Sequence, residues 1–139
     1  MKKLTYFLFI IVLSGVFTSC TTEPEPIRYG EDACHFCKMT IVSQVHASRA
    51  VSTKGKQFKY DAIECMVNGI NKNKTEMAIM QVSNYIEPGS MIDVSQASFV
   101  INDSINSPMG ANLAAVKKNT AVGSDDLLTW EELKARLLQ

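Results

Sequence analysis

The sequence predicts an α+β domain, a small domain of short antiparallel strands with two or three helices. Three observations predict it. Two short runs rich in β-formers flank Lys54-Gly55, which is a hairpin signal. Ile63, Met66, Val67 and Ile70 recur at i, i+3, i+4 and i+7, one apolar stripe on a helix. Thr129 followed three residues later by Glu132 is a capping box that starts a second helix. Strand runs interspersed with short helices argue for segregated α and β elements rather than a parallel sheet.

The elements follow in chain order. Residues 41–53 carry many Val, Ile and Ala and read as the first strand, with 57–60 as its hairpin partner. Asp61 is the expected cap of the first helix, and Gly69 with the polar stretch 71–74 is expected to end it. Residues 77–83 read as strand, Pro88-Gly89 as a turn, and 98–102 as strand. Ser107-Pro108-Met109-Gly110 is a tight turn before an expected helix over 111–117. In the last helix Trp130, Leu133 and Leu137 form the buried stripe.

The N-terminus bears on compartment. Lys2 and Lys3 precede an apolar run from Leu4 to Phe17, then Thr18, Ser19 and Cys20. A charged start, a short apolar stretch and small residues describe a signal peptide over 1–19. Phe17-Thr18-Ser19-Cys20 resembles a bacterial lipobox, with Phe where Leu is usual. Cys20 is then the lipidated first residue of the mature chain. Residues 20–30, with Pro24, Pro26 and Gly30, read as lipidated cysteine and extended tether, and 31–139 as the domain. The expected location is a membrane-anchored lipoprotein facing the periplasm, at the outer membrane. Cleavage removes two of the 14 basic residues and none of the 14 acidic ones, leaving a formal charge of −2. No basic run appears, which argues against a nucleic-acid partner.

With Cys20 given to lipid, Cys34, Cys37 and Cys65 remain, an odd number of thiols in an oxidising compartment. The sharpest motif is Cys34-His35-Phe36-Cys37-Lys38-Met39. Two cysteines three apart close a small loop, and Met39 shares a face with Cys37 if extended chain begins there. Two thiolates and a thioether form a soft donor set that selects Cu(I), with Zn²⁺ competing for the thiolates. In the second motif Asp61 and Cys65 stand at i and i+4, a shared helix face. At about 100° per residue that face lies opposite the apolar stripe, which is expected to keep Cys65 out of the core around Met66. Asp61 serves either as a ligand or only as a cap. The third motif places Met109 between Pro and Gly, a candidate second thioether. His35, between the cysteines, and His46, in a strand pattern, are weaker ligand candidates. Two other readings stay open: a periplasmic thiol–disulfide oxidoreductase using Cys34 and Cys37, and a structural zinc site of the three cysteines with a histidine. No Ser/His/Asp constellation, phosphate-binding glycine loop or paired glutamates at catalytic spacing appears, so the chain reads as a non-enzyme.

Together the lipobox at Cys20, the Cys34-x-x-Cys37-x-Met39 segment, Tyr60-Asp61 with Cys65 and Met66, and Pro108-Met109-Gly110 resemble the NosL family, copper-binding accessory lipoproteins of nitrous oxide reductase. Where many members have Gly before the methionine and a second acidic residue after Asp61, this chain has Lys38 and Ala62. The resemblance implies ββαβ-like units, Cu(I) binding, and delivery of copper to an acceptor protein, nitrous oxide reductase.

Overall fold

The computed structural model describes residues 23–121 and 126–139. The expected signal peptide, the expected lipobox and Cys20 lie outside the described residues.

The hairpin forms where the sequence places it. Strand β1 (Ser48–Ser52) pairs antiparallel with β2 (Gln57–Tyr60), Ser48 opposite Tyr60. Gly55 takes the left-handed φ of 78° that the turn requires, and its N–H donates to the Ser52 carbonyl at 2.8 Å. Strand β1 is shorter than the expected 41–53. The backbone at Ile41 is instead taken up locally: its N–H donates to Asp32 and its carbonyl accepts from Gly30. That short ladder encloses the Cys34–Met39 loop before the sheet begins.

Helix α1 (Ile63–Asn73) then crosses to β3 (Met77–Ser83), which pairs antiparallel with the other edge of β1. This is the ββαβ unit that the resemblance implies. Strand β4 (Met91–Asp93) extends the sheet to the order β2-β1-β3-β4. The stripe of Ile63, Met66 and Val67 is buried and Ile70 packs against it. Gly69 does not end the helix but lies inside it, and the chain stops at Lys74, a left-handed C-cap. Nor does Asp61 cap it. Ala62 is the N-cap, and no side chain bonds to the open N–H groups there.

A second sheet pairs β5 (Ala97–Ile101) with β6 (Leu113–Lys117). The expected helix over 111–117 is therefore a strand. Gly110 and Asn112 have φ of 78° and 54°, which blocks a helical start. Leu113, Ala114, Ala115 and Val116 are all buried, and pairing with β5 overrides the helix preference of alanine. Helix α2 (Trp130–Leu137) has the capping box as read: Glu132 N–H donates to Thr129 Oγ1 and Thr129 N–H to Glu132. Leu133 is fully buried, with Trp130 and Leu137 against the same core. Residues 23–28 run along β1 and β2 before a turn at Tyr29-Gly30, and Gln57 and Arg49 donate to the carbonyls of Glu23 and Glu25. The packed chain thus reaches back past residue 31. Among the described residues no helix is long and apolar enough to cross a membrane.

Candidate metal centre

The Cys34–Met39 segment folds into a backbone-bonded loop. Ala33 and Thr40 form an antiparallel bridge, Cys34 N–H donates to the Met39 carbonyl at 2.8 Å, and Lys38 N–H to the Cys34 carbonyl at 3.0 Å. Closing so tight a loop drives Lys38 to a φ of 68°, a conformation that costs an L-residue roughly 1–2 kcal/mol. Lys38 Nζ donates to the His35 carbonyl at 2.6 Å, and His35 N–H ties the loop to Lys59 on β2. Because the chain is left-handed at Lys38 and not extended, the alternation expected of Cys37 and Met39 does not hold. Met39 instead projects outward, 57% exposed.

The sulfurs of Cys34, Cys37 and Cys65 all lie within 4.8 Å of one another, and no disulfide joins them. Cys34 and Cys65 are buried and Cys37 is half-buried. Cys65 is not kept out of the core as its helix face predicts. It belongs to the same buried cluster as Met66, because α1 is covered on both sides, by the sheet and by the cysteine loop. A hydrogen bond from Cys65, with main-chain N–H groups of Asp61, Cys37 and Phe36, pulls the Cys34 thiol well below its ordinary range. Its charge and hydrogen bond in turn push Cys65 up, and burial pushes Cys37 up. Thiols must lose their protons to ligate a metal, so any cation held here would compete with protons for the three sulfurs.

The cluster closes without the Asp61 carboxylate. Asp61 acts on the site through its backbone, whose N–H faces Cys34. Its side chain is 2% exposed, burial raises its pKa, and Oδ1 has no hydrogen-bond partner. Met109 sits in the turn read from the sequence, with Gly110 at φ 78° bonding back to Ser107, and is 42% exposed. Neither histidine ring joins the thiols. His35 lies edge-on to Phe58 at 4.7 Å, and His46 Nδ1 is bonded to the Leu113 carbonyl at 3.1 Å.

Two other buried side chains carry an oxygen without a hydrogen-bond partner: Glu64, not singled out from the sequence, and Tyr60, read there only as part of the Tyr60-Asp61 motif. Glu64, 5% exposed, accepts from Ser107 Oγ at 2.5 Å through one oxygen while the other has no partner. Tyr60 is fully buried with its hydroxyl unpartnered. Ser107 stood inside the Pro-Met-Gly motif, but nothing in the sequence connects it to Glu64, 43 positions away.

Among known proteins, the NosL family model matches residues 28–123. The crystal structure of the copper chaperone NosL from Shewanella denitrificans is similar in fold, with a TM-score of 0.63 at 15% identity, covering 80% of this chain and 95% of that one. No curated protein matches significantly.

Proposed function

The chain belongs to the NosL family, and from that premise we propose that it is a metallochaperone that carries Cu(I) as cargo and passes it to a cuproenzyme, nitrous oxide reductase being the proposed acceptor. The convergence of three thiols on one point carries the reading. Soft sulfur donors favour Cu(I), and the exposed thioethers of Met39, at the end of the cysteine loop, and of Met109, in the 107–110 turn, are the additional donors of this reading. They are neutral and weakly held, so a thiolate or imidazole of the acceptor can displace them in turn. On this reading Asp61 supports Cys34 through its main-chain N–H. Lipidation at Cys20 would hold the domain at the periplasmic face of the outer membrane.

The burial of the thiols speaks against a disulfide enzyme. Exchange needs an accessible thiolate. Here Cys34 and Cys65 are buried and Cys37 is only half-exposed. A third thiol completing the cluster also suits metal binding better than a two-cysteine redox cycle.

The deciding experiment is anaerobic competition between Cu(I) and Zn²⁺, with metal content measured on the wild type, Met39→Ala and Met109→Ala. One Cu(I) per chain retained over zinc, with weaker copper in each methionine variant and weaker binding at low pH, is the expected result. Equal retention of zinc would overturn the copper reading in favour of a structural site. Unchanged copper affinity in both variants beside strong thiol exchange would favour the enzyme.

A further inference from the structure

We propose that Ser107 and Glu64 form a buried latch that seats the Met109 turn on the first turn of α1, and that opening it sets how fast copper leaves the thiols. The inference rests on the chaperone reading and adds to it a device for release.

Glu64 stands one residue before Cys65 and Ser107 two residues before Met109. Both side chains are at least nine-tenths buried, and the hydroxyl donates to the carboxylate at 2.5 Å. A buried carboxylate is costly unless it is hydrogen-bonded. Here one oxygen is bonded and the other has no partner. The rest of the turn is open: Pro108, Met109 and Gly110 are exposed, and the Gly110 N–H donates back to the Ser107 carbonyl at 3.0 Å. The turn is thus pinned from below at Ser107. The pin lands on the helix start that delivers Cys65 and, through Asp61, a main-chain N–H to Cys34. Two residues span at most about 7 Å of backbone. A closed latch therefore keeps the Met109 thioether near the helix that carries Cys65, and an open one lets it swing away.

The test uses the mature chain with Ser107→Ala, with Ser107→Thr restoring the hydroxyl. In the metal-free protein, amide exchange over 107–112 should quicken about tenfold, the order expected for one charge-assisted hydrogen bond, while β1 and β3 stay protected. In the copper-loaded protein, release to excess chelator should quicken similarly, and Ser107→Ala should add nothing when Met109→Ala is already present. Should Ser107→Ala fail to fold, Glu64→Gln keeps the acceptor but removes its charge, and should show the same effects more weakly. Unchanged exchange over 107–112 overturns the latch, whatever copper does. Additive effects of the Ser107 and Met109 variants overturn its action through the thioether. A wild type that holds no Cu(I), while Ser107→Ala still shows the exchange effect, removes the chaperone reading and the release role together.

Discussion

Gly69→Ala tests how tightly the core supports the metal centre. Gly69 lies inside α1, where alanine is favoured by about 1 kcal/mol on propensity alone. A Cβ there would stand 2.9 Å from Tyr60 Cε1, 3.4 Å from its hydroxyl and 3.5 Å from Cζ. The Tyr60 ring has little room to yield. It is fully buried, lies parallel to Phe58 at 6.5 Å, and meets His35 edge-on at 6.3 Å. Overpacking of this kind costs roughly 1–3 kcal/mol. The net expectation is a loss of about 1 kcal/mol, or a Tm lowered by about 4–8 °C in a domain this size. The effect should reach the site, because the residue after Tyr60 supplies the N–H that faces Cys34. Urea unfolding of the metal-free chain gives the stability, and chelator competition on the same protein gives Cu(I) affinity. A variant more stable than the wild type, as propensity alone predicts, would refute the packing argument. A destabilised variant with unaltered copper affinity would refute the coupling to the site.

Other perturbations probe separate parts of the molecule. Lys59 Nζ at 2.7 Å, together with the main-chain N–H and guanidinium of Arg28, holds the Asp32 carboxyl well below the usual carboxylate range. A depressed folded pKa gives stability that is full above the ordinary value of about 4 and is lost as pH falls toward the folded one. Asp32→Asn should therefore weaken the domain at neutral pH and flatten its acid limb; urea midpoints of wild type and variant that fall in parallel below pH 4 would contradict this. Thr129→Ala removes the capping box that starts α2 and should cost about 1 kcal/mol, read as a lower thermal midpoint by circular dichroism; an unshifted midpoint would mean the cap contributes nothing. Cys20→Ala should move the protein from the membrane to the soluble fraction or block its processing, since each buried acyl CH₂ contributes about 0.8 kcal/mol to anchoring. Wild-type protein found wholly in the soluble fraction would rule out the anchor.

What the sequence determined by itself was local. The hairpin to Tyr60, the stripe of Ile63, Met66 and Val67, the strand Met77–Ser83 and the Thr129 cap each depend on a period or a cap within a few residues. The cysteine loop was legible for the same reason, since both its thiols lie in one turn. Tertiary structure decided the rest. Residues 113–117 became strand because β5 was there to pair with them. Cys65 entered the core because a second layer covers the helix face that periodicity assigned to the outside. Asp61 came to serve Cys34 by its main chain because α1 takes Ala62 as its N-cap, one residue later than the acidic side chain of Asp61 suggests. Met39 turned outward because loop closure forced Lys38 into the left-handed region. The bond from Ser107 to Glu64 spans 43 positions. A periodic pattern records which face of one element is apolar, while the meeting of two elements depends on the packing of the whole chain.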